Sequence, residues 1–385
     1  MKYYDKPHFV VKNNAQKGGY SYKELLDDKT LEDICYKITG QKQYTIEFDE
    51  EGYNKGRLAM LYYKDNKNYV SLSIKGKVEG RNYFFQSVTT AIIKYYKERA
   101  KNDKIYFYFL DLIGNIETPY YIFMYRLMAT VGVYFLNADL YLKNTIVEFV
   151  DIEDLVTAKE KLRNKNVANK STYVTRQTEE ITEVYAKTYG ANKKESVLIA
   201  MASSILSKKV VLYEICEENL NLLPKPDKKV LRSLGNIEII TSDLEIERYQ
   251  FEKNNSLRSP KFIYNLLDRL GPKKCLLCDC EIPELIEGAH IWEVKDIKQE
   301  NKLSEDEKLK YAIDGNNGMW LCVGHHRMYD RGLIRINNDG SITIKDDLKD
   351  KDKEYISKIT VEKEIADIFI NEQVLEYLNI RNLDL

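Results

Sequence analysis

Short segments with strand-like and helix-like patterns divide the first 150 residues. The segments YTIEF, LAMLYY and YVSLSI, which begin at residues 44, 58 and 69, have the length and residue types of strands. The run KIYFYFLDL from residue 104 is apolar, as in a buried strand, whereas residues 84–100 have the pattern of a helix. We therefore predict that residues 1–150 form a mixed α/β region, which follows a polar arm and an early helix.

The pattern changes after residue 150. Residues 151–178 are polar, basic and poor in large apolar side chains, which predicts a linker. The runs EEITEVYAKTY and KESVLIAMASSIL flank Gly190 and are interpreted as helices. Two helices around a glycine turn are typical of a helix-turn-helix reader, but such pairs also occur in many helical domains. Because VVLYEIC and IEIITSD are typical of strands, residues 179–250 are predicted to be a helical/β region and a candidate DNA-binding region.

The C-terminal third contains a helical pattern, SLRSPKFIYNLLDRLG, and a hairpin pattern, IRINNDGSITI. We predict one domain over residues 251–345. Residues 346–385 are predicted to be a helical tail that packs on the body or on a second copy. The charged stretch 295–315 is interpreted as a surface insertion without chemistry. The patterns together predict an α+β protein.

Charge restricts how this chain meets nucleic acid. The net charge is -1 and the isoelectric point about 6.5, so a DNA-binding face must be a local basic patch. Between Lys55 and Arg126 there are thirteen Lys and Arg against six Asp and Glu, interleaved with Tyr. Basic residues hold phosphates and tyrosines stack, so this region is a candidate DNA-recognition surface. A solvated face over a Tyr-rich core is the alternative.

The cellular location is predicted from what the sequence lacks. No apolar run reaches the ~20 residues of a membrane span, and the first residues have no apolar signal segment. Cys35 and Cys216 are isolated, and the other four cysteines cluster at metal-binding spacing. A disulfide framework is therefore not predicted. We expect a bacterial cytoplasmic protein without membrane contact.

Two pairs of metal-ligand residues stand out in the C-terminal third. Cys275-x-x-Cys278 and Cys322-x-x-His325 have the spacing with which two pairs enclose a tetrahedral zinc ion. Buried free cysteines are the alternative interpretation. Cys280 is a further thiol in the same loop and could replace one ligand.

A second constellation overlaps the first. His290 lies in GAHIWEV, a short strand pattern, and a neutral imidazole there is suited to deprotonating water. Asn317 precedes a glycine turn and is placed to fix the loop that carries this base. His326 lies four residues after Cys322, one helical turn away, and is suited to binding a divalent ion against a phosphate.

These motifs resemble the HNH endonuclease family, whose fold is a β-hairpin and an α-helix around one catalytic metal. The matching positions are Cys275, Cys278, the AHI run at His290, the NG run at Asn317, Cys322, His325 and His326. The run YDRGLIRIN at 329–337 and, more loosely, LRSPKF before the first cysteine are similar to a branch common among bacterial restriction-type enzymes. The resemblance covers roughly a quarter of the chain.

The resemblance implies a role for each matched position. His290 would be the general base, Asn317 would orient it, and His326 would bind catalytic Mg²⁺ or Mn²⁺. Structural zinc would lie on Cys275, Cys278, Cys322 and His325. Many family members carry Asp or His immediately before the base as a second ligand of the catalytic ion, whereas this chain has Ala289. The candidates for a replacement are Glu287, Glu293 and Asp330.

The implied function is a sequence-specific, type II restriction-like endonuclease that cuts double-stranded DNA by a one-metal mechanism. One module cuts one strand, so double-strand cleavage implies a homodimer or two successive nicks. One alternative is an HNH effector nuclease of another phage-defence system. The other is a catalytically decayed, zinc-stapled DNA-binding protein, which the alanine before the base would favour.

Overall fold

The residues that the computed structural model describes are 3–12, 26–49, 58–72, 76–77, 81–110, 112–113, 117–143, 145–163, 172–187, 192–216, 228–253, 259–366 and 369–383. The helices within them are α1 (Asp28–Thr39), α2 (Arg81–Glu98), α3 (Pro119–Thr130), α4 (Ile152–Arg163), α5 (Asn192–Leu206), α6 (Lys228–Ser233), α7 (Leu244–Lys253), α8 (Pro260–Leu270), α9 (Val294–Gln299), α10 (Glu305–Ile313), α11 (Val323–Asp330), α12 (Asp350–Ile359) and α13 (Glu372–Leu383). Short 3-10 helices lie at Ala138–Leu140, Pro283–Leu285 and Gly315–Asn317.

The strands are β1 (Tyr4–Lys12), β2 (Thr45–Asp49), β3 (Leu58–Lys64), β4 (Asn66–Leu72), β5 (Gly76–Lys77), β6 (Lys104–Tyr108), β7 (Leu112–Ile113), β8 (Val133–Phe135), β9 (Thr172–Arg176), β10 (Ile181–Lys187), β11 (Lys209–Ile215), β12 (Ile237–Ser242), β13 (Ile286–His290), β14 (Gly318–Cys322), β15 (Ile334–Ile336) and β16 (Ile342–Ile344). This mixture of helices and sheets confirms the predicted α+β class. Among the described residues, no helix combines the length and apolar character that crossing a membrane requires.

The chain forms two compact units, and each is discontinuous in sequence. The first unit consists of Met1–Lys165, Thr188–Val210 and Pro224–Glu238. Its six-stranded sheet has the order β2-β1-β3-β4-β6-β8. Strands β3 and β4 form an antiparallel hairpin, and β4, β6 and β8 are parallel, with α2 and α3 in the two connections. The core of this unit includes Phe9, Leu61 and Val70, all fully buried.

The second unit consists of Asn166–Lys187, Val211–Leu223 and Ile239–Leu385. It contains most of a four-stranded sheet of order β12-β11-β10-β9, the hairpin β13–β14, the hairpin β15–β16, and helices α7 to α13. One apolar core joins β9 to β11, helix α8, the hairpin β13–β14 and the C-terminal helix α13 through buried residues such as Tyr173, Leu266, Trp320 and Leu378. The C-terminal tail therefore packs on the body of its own unit, as one of the two predicted alternatives states.

Three predictions about the elements need correction. The segment predicted as the first helix of a pair around Gly190 is strand β10, so the helix-turn-helix interpretation is wrong. Residues 181–187 are rich in β-branched and aromatic side chains, which favour a strand between neighbours. The linker predicted over 151–178 contains helix α4 and strand β9; of its residues, 164–171 lie outside the described ones. Strand β1 was not predicted at all, and most of the polar arm that follows it lies outside the described residues.

Candidate active site

Helix α8 packs closely against one face of the hairpin β13–β14. Ser259 caps the helix by accepting a hydrogen bond from the Phe262 amide, and Pro260 occupies its first turn. A Cβ at Gly288 would lie 2.8 Å from Leu266 Cδ1, and one at Gly318 would lie 2.6 Å from Phe262 Cζ. Glycine at both strand positions therefore allows the helix to pack directly against the hairpin backbone.

The hairpin is antiparallel, with His290 opposite Gly318 and Ile286 opposite Cys322. Helix α11 follows β14 without a loop, because Cys322 is both the last residue of the strand and the N-cap of the helix. Two strands and a helix thus place His290, Cys322, His325 and His326 on one small scaffold. This is the hairpin-and-helix arrangement that the sequence predicts.

The four predicted zinc ligands converge. The nearest ligand atoms of Cys275, Cys278, Cys322 and His325 all lie within 4.8 Å of one another. The Cys278 and Cys322 sulfurs are 4.0 Å apart, and His325 Nδ1 is 3.1 Å from Cys322 Sγ and 3.6 Å from Cys275 Sγ. A disulfide requires about 2.05 Å, whereas sulfurs that share a tetrahedral zinc ion at about 2.3 Å are separated by about 3.8 Å. The spacing therefore suits zinc and excludes a disulfide between these cysteines.

The surroundings of the cluster favour a bound cation. Burial raises the pKa of the Cys275 thiol and raises that of Cys278 to about 12, so a metal is the natural partner for holding these sulfurs as thiolates. His325 is buried, its Nδ1 faces the sulfurs, and its Nε2 lies 3.2 Å from the Thr360 hydroxyl. A hydrogen bond from the outer ring nitrogen fixes the orientation of a metal-binding histidine. Three sulfurs and one imidazole form a structural zinc donor set.

Cys280 is not part of the cluster. Its contribution to this loop is its backbone carbonyl, which accepts a hydrogen bond of 2.9 Å from the Cys275 amide. That bond closes the turn that presents Cys275 and Cys278. The geometry therefore supports the set of four ligands without the fifth thiol.

His290 lies at the end of β13, in surroundings that favour its neutral form. Its Nε2 is 2.9 Å from the Ala312 carbonyl oxygen, so this nitrogen donates a hydrogen bond and Nδ1 is left as an acceptor. The ring stacks on Phe262, with centroids 3.8 Å apart and planes 10° from parallel. Burial and, to a smaller extent, the nearby His326 lower the pKa of His290 to about 4, against the opposing effect of the Ala312 carbonyl. The imidazole is neutral at physiological pH.

Asn317 is fully buried and clamps the chain that follows His290. Its Oδ1 accepts from the Trp292 amide at 2.7 Å, and its Nδ2 donates to the carbonyls of Trp292 and Tyr311 at 3.1 Å each. Its own carbonyl accepts from the Ile291 amide at 3.0 Å. One side chain and its backbone therefore hold the two residues after His290 in place.

His326 lies on α11 between two carboxylates. Its Nδ1 is 2.9 Å from Glu287 Oε2, and its Nε2 is 3.4 Å from Asp330 Oδ2. Imidazole and carboxylate oxygens suit a divalent cation such as Mg²⁺ or Mn²⁺. Of the three candidate second ligands, two therefore contact His326. Glu293 instead pairs with Arg381 at 3.2 Å and with Lys295 at 3.7 Å, which directs it away from this role.

The charged stretch 295–315 was predicted to be a surface insertion without chemistry, but part of it is buried and contacts residues of the candidate site. It forms helices α9 and α10, and Leu309, Ala312 and Ile313 are buried in the core of the unit. Ser304 and Glu307 cap α10 reciprocally. The end of α10 then supplies the two carbonyls, from Tyr311 and Ala312, that hold Asn317 and His290.

Two arginines that support the site were not predicted: Arg381, which is buried, and Arg269, which is partly buried. Arg381, on α13, donates to the Ile291 carbonyl at 3.1 Å and to the Tyr329 carbonyl at 2.8 Å, and so connects the residue after His290 to the helix of His326. Arg269, on α8, donates to the carbonyls of Gly315 and Gly318 at 2.9 and 3.0 Å. An arginine in the apolar run VLEYLNIRNL was the one sequence signal for Arg381. Phe262 lies in the run LRSPKF, which gave only a loose family similarity, and Thr360 left no recognisable signal.

Comparison with protein families gives one match. Residues 275–337 match the family described as HNH endonuclease. This segment is an HNH endonuclease domain. The matched range contains both ligand pairs, His290, Asn317 and His326, so the predicted resemblance to the HNH family is confirmed, and its restriction-type branch stays a prediction. No curated protein matches the chain.

The HNH domain extends in space beyond its matched residues. Thr360 reaches His325, Arg381 reaches the loop after His290, and Phe262 stacks on His290 itself. The domain supports a nuclease with a DNA substrate and a requirement for divalent metal. Its candidate active site is thus completed by a helix before the match and by two segments after it.

Proposed function

We propose that this protein is a metal-dependent endonuclease that hydrolyses phosphodiester bonds of double-stranded DNA. The observation that carries the proposal is the placement of His290 and His326 on neighbouring elements of one zinc-supported hairpin and helix. One ring is neutral and free to accept a proton at Nδ1, and the other is surrounded by carboxylates.

His290 is the general base of the proposed reaction. With Nε2 donating to the Ala312 carbonyl, Nδ1 accepts a proton from the attacking water. Stacking on Phe262 and the Asn317 clamp fix the ring and the adjacent backbone, so the base is held before substrate arrives. Its low pKa keeps the ring unprotonated over the physiological range.

His326, Glu287 and Asp330 are the residues that would hold the catalytic Mg²⁺ or Mn²⁺. When bound, such an ion offsets negative charge on the scissile phosphate and on the leaving 3′ oxygen. Glu287 lies three residues before His290 and contacts His326, so it supplies the carboxylate that the alanine at position 289 lacks. This contact argues against catalytic decay. Arg327 on the same helix and Arg331, which immediately follows it, are exposed and suit contact with the DNA backbone.

The finer proposal is a type II restriction-like enzyme in the bacterial cytoplasm. The first unit, with its large mixed sheet, would select the sequence to be cut, and two copies would cut both strands as a homodimer. The region 179–250 remains a candidate DNA-binding region. Part of the basic surface between Lys55 and Arg126 packs on tyrosines, as Arg99 does on Tyr96 and Lys104 on Tyr134. Lys101 and Lys104 are exposed.

Cleavage of supercoiled plasmid tests the function. Full-length protein with Mg²⁺ or Mn²⁺ is expected to nick or linearise the plasmid, and His290→Ala is expected to lower the rate at least about 100-fold, because general-base catalysis contributes that much or more. His8→Ala is the matched control, since His8 lies on β1 in the other unit. Both variants should keep their melting temperature within a few degrees of the parent. Normal cleavage by His290→Ala would refute the assignment of the base.

The cleavage products separate the alternatives. A fixed set of fragments supports a restriction-like enzyme, whereas a smear supports an unspecific effector nuclease of a phage-defence system. A gel shift without metal-dependent cleavage supports a decayed DNA-binding protein. Sequencing the fragment ends gives the cut position in the first case.

A further inference from the structure

A cavity of about 360 Å³ lies within the second unit, beside the strand that carries His290. Its walls come from β10, β11, the start of α8 and the hairpin β13–β14. Phe262 and Glu287 line it, and these are the side chains that contact His290 and His326. The cavity is therefore separated from each catalytic histidine by a single side chain. Its volume lies in the range of small-ligand pockets, roughly 300–1,000 Å³.

A buried carboxylate forms part of the wall. Glu183 is 3% exposed, and its oxygens accept hydrogen bonds from Tyr185 Oη at 2.8 Å and Tyr213 Oη at 3.2 Å. The Lys273 ammonium lies 3.8 Å from Glu183 Oε2, so a cation faces the carboxylate. A carboxylate has about four acceptor positions. A weaker contact from the Thr175 hydroxyl at 3.4 Å brings the number of hydroxyl donors to Glu183 to three. One acceptor position of the carboxylate therefore remains for an N–H donor in the cavity.

Aromatic rings form a second part of the wall. Tyr185 and Tyr213 stack with centroids 4.6 Å apart and planes 11° from parallel. Trp320 and Phe262 also line the cavity. Planar rings around a small space are how proteins hold an unstacked nucleobase, because every base presents a π face.

The charges of the lining select what can enter. Three carboxylates, from Glu183, Glu284 and Glu287, face one ammonium group, from Lys273, which is already paired. A phosphate would be repelled by this lining. A base with an exocyclic amino group would donate to a carboxylate, which is the contact that Glu makes with cytosine N4 in DNA readout.

We propose that this cavity binds an unstacked base with an exocyclic amino group, which is cytosine, adenine or guanine, of the nucleic-acid strand, next to the phosphate that is cut. The proposal rests on the proposed nuclease function, since it places a base of the substrate beside His290 and His326. Glu183 reads the amino group, and Tyr213 stacks on the ring. Thymine, which has no exocyclic amino group, is disfavoured.

Binding of single-stranded oligonucleotides tests the pocket without cleavage. Full-length protein, without added Mg²⁺ or Mn²⁺, is titrated into labelled dC, dA and dT strands of about 12 nucleotides, and anisotropy gives the dissociation constants. We expect dC and dA to bind about tenfold more tightly than dT. Glu183→Gln should weaken dC and dA binding about tenfold and leave dT within twofold, since a charged hydrogen bond contributes about that much.

Two further variants keep the test decisive. Glu281→Gln removes an exposed carboxylate that pairs with Lys274 outside the cavity, and should change none of the three constants. Gln177→Trp, on the β9–β10 turn at the cavity wall, should abolish the preference even where Glu183→Gln fails to fold. Equal binding of all three strands, or a Gln177→Trp variant that keeps the preference, overturns the proposal.

Plasmid cleavage by the same preparations separates this proposal from the function it rests on. Cleavage without base preference would refute the base-binding pocket and support the nuclease function. Base preference without cleavage would refute the nuclease function and support a base-binding pocket in a DNA-binding protein.

Discussion

At His290, burial and one carbonyl partner set both the charge and the tautomer of the imidazole. The Ala312 carbonyl accepts a hydrogen bond from Nε2–H, and burial lowers the pKa of the ring to about 4. A base acts only when unprotonated, so a lowered pKa extends its active range toward acid. An ordinary histidine, with a pKa near 6.5, would lose activity below that pH.

The pH dependence of cleavage checks this assignment. We expect the initial rate of plasmid nicking with Mg²⁺ to change less than about threefold between pH 8 and roughly pH 5.5, because His290 stays neutral down to its pKa of about 4. Rates are measured at constant ionic strength, with circular dichroism as the check on folding at each pH. A rate that falls about tenfold per pH unit from 6.5 downward contradicts the buried-base assignment.

Two neighbouring thiols give a matched test of the zinc site. Cys278→Ser is expected to lose the bound zinc and to destabilise the second unit by several kcal/mol, because structural zinc contributes on the order of 10 kcal/mol to small domains. Cys280→Ser is expected to keep about one zinc ion per chain and the parental melting temperature, since its sulfur is outside the cluster. Elemental analysis and thermal melting decide. Retention of zinc by Cys278→Ser would be evidence for another ligand set.

At the scale of elements, helix α13 completes the domain from a distance in sequence. Arg381 is 7% exposed and its guanidinium carbon lies 3.9 Å from the centre of the Tyr329 ring. It donates hydrogen bonds to the backbone carbonyls of Ile291, which follows His290, and of Tyr329 on α11. The C-terminal helix therefore positions the two halves of the site relative to each other.

Replacing this arginine should cost stability and cleavage together. Arg381→Met is expected to lower the free energy of unfolding by about 3 kcal/mol, because it leaves two carbonyls without their charged donor and removes one of the two cations that pair with Glu293. The cleavage rate should fall while the affinity for DNA changes little, since the side chain is buried away from solvent. Arg331→Met, at the exposed position that immediately follows α11, is the control for stability. Denaturant titration and single-turnover cleavage give the two quantities; equal stability of both variants would contradict the positioning role.

Strand β10 shows why one element was predicted wrongly. Five consecutive residues, from Thr182 to Ala186, are buried, so the strand lacks the alternation that marks a half-exposed one. Glu179 and Glu180 before the strand, and a nearby Lys, are residue types common in helices and favoured the helical prediction. The Val, Thr and Tyr residues of the segment favour a strand. Pairing with β9 decided the outcome, and no local pattern reports that pairing.

At the scale of the whole molecule, the chain enters each of its two units more than once. The divisions predicted at residues 150, 178 and 250 follow composition, and the roles assigned to those regions remain predictions. Composition is a local property, whereas a compact unit is defined by contacts between segments distant in sequence. Composition therefore could not predict that the strands within residues 172–187 share a core with the HNH domain, which lies about a hundred residues later.

The sequence by itself predicted the cluster of Cys275, Cys278, Cys322 and His325 and the resemblance to HNH endonucleases that the match over residues 275–337 confirms, because cysteine and histidine pairs at fixed spacing have few other uses. The roles of His290 and Asn317 remain predictions. The sequence also determined the α+β class and most of the strands and helices. Only the tertiary structure decided that Glu287 contacts His326, that the Ala312 carbonyl sets the tautomer of His290, and that Phe262, Thr360 and Arg381 belong to the site. Each of these contacts joins segments that the chain separates, and their distances depend on packing that no local spacing encodes.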